Sequence, residues 1–128
     1  MIAATSKVLH DGVRNSIMQF TGVSDGAGPE TNAVKVDASE LDPAPASLKV
    51  TKITYDVSGG VLRLSWAADD PVQFADLTEQ NVIDYEKFGG LLNGGGDTAN
   101  GDILFSTLGF EAGSSYSVTI EMVKKYAP

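Results

Sequence analysis

The chain has no cysteine, one tryptophan and one histidine in 128 residues. Without cysteine there can be no disulfide, no thiolate metal site and no cysteine nucleophile, although the compartment stays open. Basic residues are also scarce. Nine Lys and Arg face seventeen Asp and Glu, a formal charge of −8. Neutralising a nucleic-acid backbone needs a basic face, so nucleic acid is not an expected partner. The same acidity disfavours anionic membranes and favours solubility. No apolar run approaches the roughly 20 residues of a spanning helix. The opening MIAATSKVLHDG lacks the apolar core of a signal peptide. A protein made in the cytoplasm is expected, either staying there or leaving in an assembled or lytic form. Hydrophobic content of 42% and a charged fraction of 20% are ordinary for one globular domain.

What the sequence does hold is strand pattern. Leu48–Trp66 reads LKVTKITYDVSGGVLRLSW, two strand-forming runs around Ser58-Gly59-Gly60. Glycine takes positive φ at little steric cost, so a hairpin is predicted here. Leu48 and Val50 take one parity and Ile53, Tyr55 and Val57 the other, which predicts a bulge or a sharp twist at Thr51-Lys52. Leu62, Leu64 and Trp66 share one face, and Trp66 is placed at the centre of the core. Upstream, residues 1–6 read as an N-terminal arm and residues 7–128 as a single β-domain. KVLH, Asp11-Gly12 and VRNSIMQFTGV suggest a hairpin or a corner between sheets. Asn32–Asp37 alternates as a short strand. Ala38–Ser47 carries Pro43 and Pro45, which suit an extended crossover between two sheets.

Downstream, Val72–Leu77 reads as a strand. Thr78–Phe88 is the one credible helix, capped by Thr78, with a bent strand as the alternative because Val82, Ile83 and Tyr85 form no helical stripe. Asn93–Asp102 is too glycine-rich for regular structure. Ile103–Phe110 is apolar on both parities. Tyr116, Val118, Ile120 and Met122 alternate cleanly with polar residues, giving a half-buried final strand. Seven or eight strands and at most one short helix define the expected fold class: all-β, an antiparallel β-sandwich or jelly-roll-like single domain.

Chemistry is thin. His10 and Asp11 are neighbours on a strand and point to opposite faces, a poor acid/base dyad. No G-x-S-x-G elbow is present. Asp69-Asp70 and Asp84 with Glu86 read as solvated loop carboxylates rather than a glycosidase pair. Asp97, Asn100 and Asp102 are weak calcium candidates, because their spacing is not that of an EF-hand loop. No GK[ST] follows Gly94–Gly96, so nucleotide binding is not expected. No catalytic residue and no cofactor is assigned. Lys124-Lys125 reads as a solvated strand end or as lysines contacting a partner.

The segments KVLHDGVRNSIMQFTGV, LKVTKITYDVSGGVLRLSWAADDPV, DYEKFGGLLN and GDILFSTLGFEAGSSYSVTIEMVKK, in that order, resemble a family of small virion structural proteins of tailed bacteriophages. The similarity covers nearly all of residues 7–125. Size and β-rich pattern are similar to those of capsid cement (decoration) proteins. The resemblance implies a non-enzymatic subunit on the capsid exterior, made in the host cytoplasm. Its partners would be the major capsid protein and copies of itself, with no nucleic acid and no membrane. The expected partner contacts lie on the arm, two loops and the C-terminal strand: Thr5, Ser6, Lys7, Asp25, Asn93, Asp97, Asn100, Lys124 and Lys125. A tail, connector or host-adhesion protein is the alternative. Another is a carbohydrate-binding sandwich with Tyr85, Phe88 or Tyr126 as its aromatic platform.

Overall fold

The computed structural model describes residues 2–95 and 100–126. Among these, seven strands form one antiparallel sheet system: β1 (Ile2–Asp11), β2 (Asn15–Ser24), β3 (Ala33–Val36), β4 (Ser47–Trp66), β5 (Val72–Asp84), β6 (Ile103–Leu108) and β7 (Ser115–Lys125). Helical structure among the described residues is limited to two 3₁₀ turns, Ala38–Glu40 and Glu86–Phe88. The order is β1-β2-β7-β4-β6-β3, with β5 along the other edge of β4. The fold is all-β and nearly closes into a barrel-like shape.

β4 organises everything else. It runs for 20 residues without a break. Its first half pairs with β7 and its second half with β6, while β5 follows it along the opposite edge. The predicted hairpin at Ser58-Gly59-Gly60 is therefore a bend inside one strand. Val57 pairs with Glu79 and Leu62 with Leu77, so Ser58–Val61 faces Thr78 alone. The surplus residues form a wide bulge, which increases local twist and bends the strand. Gly60 is needed there, since a Cβ would lie 2.4 Å from the Phe110 ring. On either side of the bend β4 has β5 along one edge and the distant strands β7 and β6 along the other. Folding back on itself would have cost β4 those partners.

The other expectations divide. The bulge at Thr51 is present, as a register shift between Val50 and Lys52. Thr51 is buried, and its hydroxyl donates to the Glu121 carbonyl at 3.0 Å. β1 and β2 form the predicted hairpin. Ala38–Ser47 crosses from β3 to the start of β4. The expected arm at residues 1–6 is corrected: Ile2–Ser6 belongs to β1 and pairs with Phe20–Ser24. The expected helix over Thr78–Phe88 is also corrected. β5 extends to Asp84 because β4 offers it a continuous edge, and β-branched Val82 and Ile83 fit that pairing. Thr78 caps no helix. Its hydroxyl donates to the Gly60 carbonyl at 3.2 Å.

The core lies between the inner faces. Trp66 is 1% exposed and stacks on Phe74 with ring centroids 4.3 Å apart. Phe105 of β6 meets Phe20 of β2 edge-on at 5.1 Å and Tyr116 of β7 at 5.9 Å. Leu62 and Leu64 of β4 and Val118 and Ile120 of β7 are fully buried, as their alternation predicts. Aromatic contacts of this geometry add to the area they bury and join the two layers.

Candidate functional site

The sites expected from sequence do not converge. Thr5, Ser6 and Lys7 lie on β1, where every residue from Ala3 to His10 is exposed. Thr5 and Thr21 hydroxyls meet at 2.6 Å. Asp25 follows the far end of β2, and its carboxylate accepts from the Ala27 amide at 2.9 Å. Asn93 is half-buried, its side-chain oxygen accepting from the Gly95 amide at 2.8 Å. Asn100 is exposed and accepts from the Asp102 amide at 3.0 Å. Asp97 lies outside the described residues.

Lys124 is the clear correction. It was expected as a solvated or partner-contacting lysine, but its side chain is fully buried. β7 alternates, so Lys124 shares the inward parity of Tyr116, Val118, Ile120 and Met122. Its ammonium lies 2.6 Å from Asp11 Oδ1 and donates to the Pro43 carbonyl at 2.9 Å. The second Asp11 oxygen accepts from the Asp42 amide at 2.9 Å. Burial pushes the Asp11 carboxyl up, but Lys124 and the Asp42 amide outweigh it and hold the carboxyl below its ordinary value. Lys125, on the opposite parity, is exposed.

Of the calcium candidates, the two among the described residues, Asn100 and Asp102, make hydrogen bonds within the fold. Asp102 Oδ1 accepts from the Ala38 amide at 2.9 Å, and its backbone carbonyl accepts from the Ala67 amide at 3.0 Å. Desolvation raises the Asp102 carboxyl above its ordinary value, and nearby Asp37 adds to that. Among the described residues no three His, Asp or Glu side chains are placed to share a metal ion. The Asp84 carboxylate accepts from the Glu86 amide at 2.9 Å, a turn contact. His10, one residue before the end of β1, lines a cavity of about 220 Å³ with Glu86 and Glu121.

Two surfaces stand out instead. One is the free edge of β1, which no other strand covers among the described residues. The other is the broad outer face shared by β1, β2, β7, β4 and β5. Ladder pairing aligns Thr5, Thr21, Ser117, Asp56 and Gln80 in one row. The neighbouring row is Lys7, Gln19, Thr119, Thr54 and Val82. A shallow groove of about 380 Å³ runs over Thr54, Asp56, Gln80, Val82, Ser117 and Thr119. This face is polar and hydroxyl-rich. The aromatics expected as a sugar platform are arranged differently. Tyr85 and Phe88 pack edge-on with planes 76° apart, and the Tyr126 hydroxyl donates to the Val13 carbonyl. They present no common flat face for a sugar ring.

Sequence reading missed one grouping. Arg14, Lys49 and Lys125 come from three different strands or loops and line one cleft with Val13, Val123 and Tyr126. The parity of Lys49 and Lys125, opposite to their buried neighbours, was the available signal. Their convergence depends on pairing that spacing alone does not reveal. No family model matches the chain, and no similar curated protein is found.

Proposed function

We propose that the chain is a non-enzymatic virion structural protein of a tailed phage, a capsid cement subunit that clamps neighbouring major capsid proteins on the head exterior. The carrying observation is β1. It is ten residues long, exposed on both faces from Ala3 to His10, and unpaired along its outer edge among the described residues. Such an edge takes another strand through main-chain hydrogen bonds, with side chains setting specificity. The partner strand would come from the major capsid protein or from a second copy of this chain. Pairing of this kind is weak singly and strong on a lattice, where many linked contacts act together. The resemblance read from the sequence over residues 7–125 points the same way. Neither nucleic acid nor a membrane is needed for it.

The test is quantitative mass spectrometry on purified heads separated from tails. A copy number matching the capsid lattice on DNA-filled heads is expected. A handful of copies, or presence only with tails, would transfer the assignment to a connector or tail protein. Absence from both fractions would end the virion reading.

A further inference from the structure

We infer that the cleft between the β1–β2 turn, the start of β4 and the end of β7 is a binding site for a short acidic peptide segment of a partner protein. The cleft is a shallow, open one of about 360 Å³. Four basic residues line it, Arg14, Lys49, Lys124 and Lys125; Lys124 is buried against Asp11, which leaves the other three to face a ligand. In a chain of charge −8 with only nine Lys and Arg, this is a strong local reversal of sign. The side chains are also uncommitted. Lys35, Arg63 and Lys124 have carboxylate partners, whereas Arg14, Lys49 and Lys125 pair with no carboxylate among the described residues.

The site is held in shape by contacts that do not use the three charges. The Lys124 amide donates to the Arg14 carbonyl at 2.7 Å, which fixes the turn against β7. The Tyr126 hydroxyl donates to the Val13 carbonyl from across the cleft. Lys49 sits opposite Val123 in the ladder, and its stem packs over Gly90. A Cβ on Gly90 would lie 2.7 Å from that stem, so the glycine seats the lysine. Gly90 also has φ 97, which favours glycine there on its own.

The surroundings select the ligand. Val13 is 71% exposed and Tyr126 45%, so apolar surface borders the charges. Carboxylate side chains on a peptide can meet the cations while its other side chains rest on Val13 and Tyr126. Beyond Val123 the surface turns acidic, with Glu86 and Glu121 lining the next cavity. A polyphosphate carries charge at every step and would be repelled by those carboxylates, whereas a peptide can keep its carboxylates over the cations and turn neutral side chains elsewhere. This site does not depend on the virion reading, and the two can fail separately.

Fluorescence anisotropy with a labelled hexaglutamate peptide tests it at low salt, with inorganic phosphate and an oligothymidylate as comparison ligands. Saturable peptide binding is expected, weakened at high salt. The double variant Lys49→Gln/Lys125→Gln should lower affinity about tenfold or more. The double variant Lys7→Gln/Arg63→Gln removes the same charge elsewhere and should change affinity by less than about twofold. Circular dichroism checks that each variant is folded, and Arg14→Gln in the exposed turn provides an independent reading if a double variant is not. No saturable binding, equal losses in the two double variants, or tighter binding of phosphate or the oligonucleotide would each overturn the proposal.

Discussion

The Lys124 ammonium lies 2.6 Å from Asp11 Oδ1, and this contact ties the end of the last strand to the end of the first. The pair also grips the crossover, through the Pro43 carbonyl and the Asp42 amide. Removing one partner leaves the other without its countercharge. Asp11→Ala should cost about 3 kcal/mol, because the lysine left behind is fully buried. Replacing both together, as Asp11→Asn with Lys124→Met, should recover most of that loss. Urea denaturation of the parent and the two variants gives the comparison.

The pair also sets a pH dependence. The Asp11 carboxyl is held below its ordinary 3.8 in the fold. Its contribution is therefore complete above 3.8 and is lost as the pH falls through the lower folded value. Acid unfolding followed by circular dichroism should show a component in this range that Asp11→Asn abolishes. An unchanged acid profile in that variant would remove the pair from the account.

Gly22 and Tyr116 make a second such relationship. They are directly opposite in the β2–β7 ladder, and a Cβ on Gly22 would lie 2.6 Å from the Tyr116 ring. The ring lies across the glycine and carries its hydroxyl to Glu30, donating at 2.7 Å. Burial and the Glu30 carboxylate both push the phenol far above its ordinary value, so it stays a donor throughout the accessible pH range. Gly22→Ala should destabilise by about 1–3 kcal/mol through overpacking. Combining it with Tyr116→Leu should cost less than the sum of the two single changes, as a double-mutant cycle measures.

At Asp102 the charge and the hydrogen bond can be separated. The carboxyl is raised by desolvation, while its Oδ1 is the acceptor for the Ala38 amide. A raised carboxyl means that ionisation opposes folding, so this group's contribution declines as the pH rises through the folded value. Asp102→Asn keeps an oxygen acceptor and removes the charge. Its thermal midpoint at neutral pH should equal or exceed the parent's. Asp102→Ala loses the acceptor and should cost about 1–2 kcal/mol. A midpoint for Asp102→Asn as low as for Asp102→Ala would mean that the charge itself is required.

Much of this fold was legible where one face is buried and the other wet. β7 shows it best: Tyr116, Val118, Ile120 and Met122 alternate, and all are buried. The same rule, carried one step further, places Lys124 inside. Its charge suggested solvent, but the ladder continues to Lys125 and carries the parity with it. The bend at Gly59-Gly60 shows a different limit. Local sequence cannot tell a turn from a bulge, because what decides is whether other strands occupy both edges. β5 was misleading for the same reason, since β4 supplied the pairing that its own pattern left open. The cationic cleft was hidden because Arg14, Lys49 and Lys125 become neighbours only through the β2–β7 and β4–β7 ladders.

The free edge of β1 gives the last prediction, which bears on attachment rather than folding. Val8 is 50% exposed on this edge strand, and lysine at such positions is a common natural block to strand addition. Val8→Lys touches no core contact, so its stability should stay within about 0.5 kcal/mol of the parent. If β1 docks on the capsid by strand pairing, the variant should fail to bind heads that lack the protein. The parent, added to the same heads, should saturate them. Val34→Lys provides the control, because it places the same charge on a similarly exposed valine of β3, away from β1. Attachment by Val8→Lys at the parent's level would exclude this edge as the docking element. The polar face centred on Thr54, Asp56 and Ser117 would then be the surface to alter next.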